Sequence, residues 1–167
     1  MSARYRLRQL ASALGARLAP AELRLVESTL SPGELELFRR MPRFDQRHCL
    51  DVYQTLCGGG YTDPLLLRAA LLHDCGKVDD QGCPIPLLYY GLFVVLRRLA
   101  PWAYAWAARN GRGPLRPFAV HAIHEQRSAA LAAAAGSPPG VVAILRDYAN
   151  RHTTPATAAL HWADDLN

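Results

Sequence analysis

The chain has 167 residues, a length that suits one globular domain with a hydrophobic core. Hydrophobic residues make up 50% and charged residues 20% of the chain, a balance that excludes a disordered polar protein. The formal net charge of +5 permits anionic partners, but the arginines are scattered along the sequence, so nucleic acid is not the expected partner.

Membrane insertion is not expected either. The most apolar run, residues 84–96, has 13 residues before Arg97 and Arg98 close it, whereas a spanning helix needs about 20. The four cysteines have neither Cys-x-x-Cys nor zinc-ribbon spacing, and no signal-peptide pattern is recognised. We therefore expect reduced thiols in a cytoplasmic protein.

Helical periodicity predominates along the chain, and no strand-like alternation is found. An arginine-dotted helix is predicted over residues 3–17 and a second helix over residues 21–30. The Ser-Pro-Gly-Glu sequence at residues 31–34 is a capping box that predicts the start of a third helix. We interpret residues 1–43 as an N-terminal helical cap packed on a domain of residues 44–167. A partner-binding or dimerising surface is the alternative.

A fourth helix is predicted over about residues 45–57, with Asp45 as its N-terminal cap. His48 lies at the edge of its apolar face, so it is either a half-buried core histidine or an inward-pointing ligand. Three glycines at residues 58–60 end this helix.

The next helix begins at Asp63-Pro64 and leads into the most informative motif of the chain, Ala-Ala-Leu-Leu-His-Asp-Cys-Gly-Lys at residues 69–77. His73 shares the face of apolar Leu66 and is followed directly by Asp74. A buried imidazole and carboxylate need partners, which a divalent cation would supply. Nitrogen and oxygen ligands together suit Mn, Fe, Ni, Co or Zn better than Ca. A solvated pair at a helix end is the alternative.

Lys77 is the only lysine of the chain, since every other basic residue is arginine. Its compact ammonium suits a phosphate oxygen as a point charge. Its position three residues after Asp74 therefore suggests a phosphate-binding role.

Further helices are predicted over about residues 86–99, 102–110 and 118–135, then from residue 141 and from residues 153–155. The first two of these helices contain six aromatic residues that we interpret as core packing, with a membrane-surface or dimer contact as the alternative. They are Tyr89, Tyr90, Phe93, Trp102, Tyr104 and Trp106.

Three polar residues of the later helices share a face with core positions. His121 and His124 fall on one stripe of the helix over residues 118–135, so both are expected to face inward. In the last helix, Asp164 follows Leu160 by four residues and lies on the same face.

Together these motifs resemble the HD-domain superfamily of metal-dependent phosphohydrolases, including its HD-GYP-like relatives. The family pattern is a histidine on one helix, a His-Asp pair ending a later helix, and a distant aspartate. His48, the His73–Asp74 pair and Asp164 match this pattern, and the resemblance covers roughly residues 44–167. It implies an all-α HD-domain helical bundle with additional N-terminal helices, in which these four side chains bind one divalent transition metal.

The resemblance also implies a reaction, the hydrolysis of a phosphoester or phosphoanhydride in a phosphorylated small molecule, such as a nucleotide. The metal would lower the pKa of a bound water molecule and polarise the phosphoryl group. Asp74 and Lys77 would be the catalytic residues. Lys77, Arg47 and His124 would contact the substrate.

Two departures from the family pattern argue against a second metal. Glu125 and Ser128 replace the proline and glycine of the relatives' His-Pro-x-x-Gly-Ala segment, which begins here at His124. Tyr148 stands where a ligand histidine is often found, and a neutral tyrosine is a poor ligand at pH 7. These departures also suit a non-catalytic HD-type module that binds a metal or nucleotide or serves as a signalling scaffold. A peripheral membrane or RNA-associated protein is a third alternative, and a homodimer is compatible with each.

Overall fold

The structure is a computed structural model that describes residues 17–167, so nearly all of the helix predicted over residues 3–17 lies outside the described part. Within that part, helices are joined by short loops, and the only β-type contact is an isolated bridge between Val78 and Pro84. The predicted all-α class is confirmed for these residues.

The described helices are, in chain order, α1 (Pro20–Thr29), α2 (Pro32–Arg40), α3 (Arg43–Gly58), α4 (Pro64–Leu72), α5 (Leu88–Leu99), α6 (Pro101–Arg109), α7 (Arg116–Ala134), α8 (Pro139–Ala149) and α9 (Pro155–Leu166). Two 3₁₀ turns, Cys75–Lys77 and Gly113–Leu115, precede α5 and α7. None of these helices is long and apolar enough to cross a membrane.

Local capping explains where two of the helices begin. The Glu34 amide donates to Ser31 Oγ at 3.4 Å, and the Ser31 amide donates to the Glu34 carboxylate at 2.8 Å, so the predicted capping box is confirmed. The amide of Leu65 donates to the Asp63 carboxylate at the start of α4.

The prediction that Asp45 caps α3 is wrong. The helix begins two residues earlier, at Arg43, with Pro42 before it. The Asp45 carboxylate is buried in the first turn, where the Tyr90 hydroxyl lies 3.3 Å from both of its oxygens. An acid near a helix start can be a cap or a tertiary partner, and only the packing distinguishes the two.

Helix α4 lies at the centre of the fold, and its apolar residues belong to two cores. Leu71 and Leu72 pack with residues of α1, α2, α3, α7 and α8. Leu66 and Ala70 belong to a second core that α9 completes. Because α4 is enclosed in this way, the His73–Asp74 pair that follows it is also buried.

Helices α1 and α2 pack on the main core. Val26 and Phe38 belong to the same buried cluster as Leu71. The boundary between residues 1–43 and residues 44–167 stays a prediction, and in the described part both sides contribute to one core.

The hairpin formed by α5 and α6 packs on α7 through an aromatic cluster. Its aromatic members are Tyr89, Tyr90, Phe93, Tyr104 and Phe118. The prediction of core packing is therefore confirmed for the four of these residues that lie in the hairpin. It is wrong for Trp102 and Trp106, which are 76% and 54% exposed on one face of α6.

The turn Cys75–Lys77 passes so close to α7 that only glycine fits at position 76. A Cβ atom there would lie 2.1 Å from the carbonyl oxygen of His124 and 2.7 Å from the amide nitrogen of Ser128. The amide of Gly76 donates to Ser128 Oγ at 2.9 Å. This contact sets Asp74 and Lys77 against α7.

The Gly76→Ala substitution is expected to lower the free energy of unfolding by about 2–3 kcal/mol, because the added methyl group must displace backbone atoms of α7. Gly91→Ala on α5 is the matched control, since nothing lies within 4 Å of a Cβ atom there. The control should be neutral or more stable by up to about 1 kcal/mol. Denaturant unfolding followed by circular dichroism measures both, and equal stabilities would contradict the close approach.

Candidate metal centre

Three elements bring the four predicted ligands together. His48 lies on α3, His73 and Asp74 follow α4, and Asp164 lies on α9. His48 Nε2 is 2.9 Å from Asp164 Oδ1 and 3.6 Å from Asp74 Oδ2, and His73 Nε2 is 3.6 Å from each of these oxygens. Atoms that share a metal at bond lengths of ~2.0–2.2 Å lie about 3.0–3.5 Å apart. The four side chains therefore have nearly the spacing of a metal site.

His73 is oriented with one nitrogen toward this cluster. Because a carbonyl group can only accept, the 2.8 Å contact with Ala70 O identifies Nδ1 as the protonated nitrogen. Nε2 is buried and has no hydrogen-bond partner among the described residues. A buried nitrogen in this state is unfavourable unless something binds it.

Asp74 is ionised although it is only 2% exposed. Burial opposes ionisation, but the Lys77 ammonium and the His73 ring hold the pKa of the Asp74 carboxyl well below its ordinary value. Lys77 Nζ contacts Asp74 Oδ2 and lies 3.5 Å from Asp45 Oδ1.

Lys77 is buried against two acids, and its Nζ lies 5.0 Å above the ring of Tyr90. Burial lowers its pKa, but Asp74 and Asp45 together hold the pKa of Lys77 well above its ordinary value. The structure therefore places Lys77 as a counter-ion in the interior, where it supports Asp74, and not as an exposed phosphate contact.

His124 approaches Asp74 from α7. Its Nδ1 donates to the carbonyl oxygen of His121 at 2.6 Å, and its Nε2 lies 3.5 Å from Asp74 Oδ1. Burial lowers the pKa of His124 to about 4, so the ring is neutral at pH 7. Asp74 thus presents Oδ2 to His48 and His73 and Oδ1 to His124.

Asp164 is oriented by Tyr148, a role that the sequence analysis missed. The Tyr148 hydroxyl donates to Asp164 Oδ2 at 2.7 Å, which leaves Oδ1 facing His48 and His73. Burial alone would raise the pKa of Asp164, but its contacts with these two histidines hold it well below its ordinary value. The inward position of Tyr148 on α8 was the available signal, and its partner was not visible in the sequence.

The structure does not bring Arg47 to the cluster. Its guanidinium pairs with Glu22 of α1 and Asp51 of α3, both at 2.8 Å. Successive residues of a helix point about 100° apart, so Arg47 cannot follow the direction of His48. Arg47 instead links α1 to α3 through these two ion pairs.

A second set of side chains, Cys49, His73 and Asp74, is also close enough to hold a metal ion. Cys49 Sγ lies 3.8 Å from His73 Nδ1, the nitrogen that donates to Ala70. Burial raises the pKa of the Cys49 thiol, so the thiolate that a metal requires is disfavoured. The set with His48, His73 and Asp164 is therefore the better candidate.

The cluster is closed at one end and open at the other. His73 and Asp74 are buried, whereas the side chains of His48 and Asp164 are 25% and 31% exposed. The His48–Asp164 edge is therefore the side of the cluster that contacts solvent.

Comparisons with known proteins do not identify a family. No family model matches the chain, no curated protein matches it, and no solved structure matches it. The resemblance to the HD-domain superfamily therefore rests on the motifs alone.

The structure predicts that stability falls as the pH is lowered below ~6.5, the ordinary pKa of histidine. Burial lowers the pKa of His121 to about 3, where Tyr104 and Phe93 enclose its ring. The unfolded chain then binds a proton that the folded chain does not, so stability decreases from pH 7 toward pH 4.

In His121→Gln this loss should be smaller by about 2 kcal/mol at pH 4.5, since glutamine does not titrate. Denaturant unfolding at pH 7 and at pH 4.5, in the presence of a chelator, measures the free energy of unfolding of both proteins. Equal pH dependence of the wild type and the variant would contradict the prediction.

Proposed function

We propose that the chain is a metal-dependent phosphohydrolase of the HD superfamily that hydrolyses a phosphoester or phosphoanhydride of a small, nucleotide-type substrate. The observation that carries the proposal is the buried His73 Nε2, which has no hydrogen-bond partner among the described residues and lies between the carboxylates of Asp74 and Asp164. Burial lowers the pKa of His73, but Asp74 and further neighbours raise it well above its ordinary value. The surroundings therefore favour positive charge at this nitrogen.

A divalent transition metal, namely Mn, Fe, Ni, Co or Zn, suits two imidazole nitrogens and two carboxylate oxygens. His48, His73, Asp74 and Asp164 would hold it. When bound, the metal would lower the pKa of a water molecule and polarise a phosphoryl oxygen. A single metal is the preferred stoichiometry, because Tyr148 contacts a ligand carboxylate at the position where a further ligand histidine is expected.

The surrounding residues orient this ligand set. Lys77 keeps Asp74 ionised, the Ala70 carbonyl fixes the tautomer of His73, and Tyr148 directs one oxygen of Asp164 inward. Asp74 would also orient or deprotonate the attacking water. His124, neutral with its Nε2 lone pair toward Asp74, would contact the substrate.

The choice of a phosphorylated substrate rests on the resemblance of the His-Asp-Cys-Gly-Lys segment to the HD family. Arg47 is not part of the proposed site, since Glu22 and Asp51 occupy its guanidinium. A cytoplasmic location belongs to the proposal, because all four cysteines are free.

The first test compares two neighbouring aspartates. Asp164→Asn should abolish metal retention, because the amide removes the charge and a ligand oxygen. Asp165→Asn is the same change at the exposed adjacent position and should leave metal retention unchanged. Elemental mass spectrometry after incubation with Mn or Fe should find about one metal per chain in the wild type and the control. Phosphate release from a panel of nucleotides and phosphodiesters is measured on the same samples.

The outcomes separate the proposal from its rival. Metal-dependent release that Asp164→Asn abolishes supports the phosphohydrolase. Metal binding without turnover of any substrate in the panel would favour the non-catalytic module. A wild-type protein that retains no metal would overturn the proposed site.

A second test concerns Tyr148. Tyr148→Phe removes the hydroxyl that orients Asp164 and should weaken metal affinity by about 10- to 100-fold. Tyr61→Phe on the surface is the control and should leave the affinity unchanged. Competition with a chromophoric chelator measures both affinities. Unchanged affinity in Tyr148→Phe would show that the hydroxyl does not support the ligand.

A further inference from the structure

The hairpin of α5 and α6 exposes an apolar surface on the side away from its aromatic cluster. On α5 the exposed side chains follow one another at spacings of four, three and four residues, which places them on one stripe. Together with the two exposed tryptophans of α6 they form a surface that we term the hairpin face. Its members are Leu88, Leu92, Val95, Leu99, Trp102 and Trp106.

The core does not account for this face. Helix α5 already buries Phe93 and packs Tyr89 and Tyr90 on its other side. A helix that is apolar on both sides is expected to have a second apolar partner. No described residue supplies one, since the members of the hairpin face are between 43% (Leu92) and 86% (Leu88) exposed.

Charge is distributed unevenly around the hairpin face. Although arginines occur throughout the chain, residues 81–124 contain five arginines and no acidic residue. The 14 basic residues elsewhere are balanced by 14 acidic ones, so the net charge of +5 belongs to this segment.

Most of this charge is free to meet a partner. Arg116 pairs with Asp79. Arg97 lies over the ring of Tyr104, 6.0 Å from its centroid, and so belongs to the aromatic side of the hairpin. The other three arginines are exposed and have no carboxylate partner among residues 17–167. They are Arg98, Arg109 and Arg112.

We infer that the hairpin face docks on an anionic phospholipid surface. Leucine, valine and tryptophan insert at the boundary between headgroups and acyl chains, and arginines beside them contact anionic headgroups. This inference is independent of the metal site.

Other occupants fit the same features less well. Nucleic acid would use the arginines and tryptophans but not the aliphatic stripe. A second copy of the chain would bring two sets of unpaired arginines together. Residues 1–16 carry three arginines and no acidic residue, so their charge does not complement the arginines of the hairpin.

The test is co-sedimentation of the full chain with large unilamellar vesicles of phosphatidylcholine, alone or with about 30% phosphatidylglycerol. Binding is expected to the anionic vesicles, to weaken at high salt, and to be slight for the neutral ones. With Trp162 replaced by phenylalanine, the emission of Trp102 and Trp106 should shift to the blue on binding, because both rings leave water.

Two double variants locate the contact. Arg98→Gln with Arg109→Gln should lower partitioning onto anionic vesicles roughly 20-fold. Arg24→Gln with Arg40→Gln, an equal charge change at exposed positions outside the hairpin, is the control. Trp102→Ser with Trp106→Ser should lower partitioning about tenfold, whereas Trp162→Phe should not. Circular dichroism checks that each variant retains its helices.

Four results would each overturn the inference. The first two are that anionic vesicles do not bind the protein at low salt, or that the hairpin variants bind as well as the wild type. The third is a homodimer that the tryptophan variants dissociate. The fourth is that a single-stranded oligonucleotide, and not the vesicles, binds with the same dependence on the arginines.

Discussion

A carboxylate that stays ionised in a helical core must be surrounded by groups that stabilise negative charge, and Asp74 imposes this constraint on the fold. Lys77 supplies positive charge from the following turn. The Nε2 atoms of His48, His73 and His124 lie 3.5–3.6 Å from the Asp74 oxygens, and those of His73 and His124 present lone pairs because their Nδ1 atoms donate to carbonyl oxygens. These groups come from α3, the end of α4 and α7. The amide of Lys77 donates to the carbonyl oxygen of Asp74 at 3.0 Å, so the turn itself brings Lys77 back to Asp74. The glycine at position 76 lets this turn lie directly against α7. The same turn therefore determines both the contact with α7 and the charge environment of Asp74.

The α5–α6 hairpin supports this arrangement through two chains of hydrogen bonds. On α5, the Tyr90 hydroxyl donates to Asp45, which in turn lies beside Lys77. On α6, the Tyr104 hydroxyl lies 2.6 Å from His121, whose carbonyl oxygen accepts from the ring of His124. The inner side of the hairpin thus helps to orient two groups that face Asp74. A displacement of either helix would loosen one of them, so the hairpin is part of the structural support of the cluster.

Sequence reasoning succeeded where the determining interaction is local. The capping box at residues 31–34 and the start at Asp63 were predictable because each is satisfied within one helical turn. Periodicity placed His48, His73 and Asp164 on inward faces, and the structure brings them together with Asp74. Sequence reasoning failed where the role of a side chain depends on which element packs against its face of the helix. Asp45 faces Lys77 across α3 and the turn, and Tyr148 finds Asp164 across α8 and α9. Neither partner has a fixed separation in sequence. Trp102 and Trp106 were misassigned for the same reason, because an apolar face does not reveal whether another element covers it.

The formal charges around Asp74 bear on which ion could occupy the cluster. Three carboxylates meet there, those of Asp45, Asp74 and Asp164, and Lys77 is the only lysine or arginine among residues 17–167 that contacts them. Burial raises the pKa of Asp45 to about 6, which still leaves it mostly ionised at pH 7. With neutral imidazoles the group carries two uncompensated negative charges. One proton on His73 would remove only one of them, whereas one divalent ion bound to His73 Nε2 and the adjoining carboxylates would remove both. Lys77 and Asp45 compensate one another, so the ligand set itself contributes two anionic oxygens and two neutral nitrogens. This charge balance suits the divalent ion that we propose for the cluster.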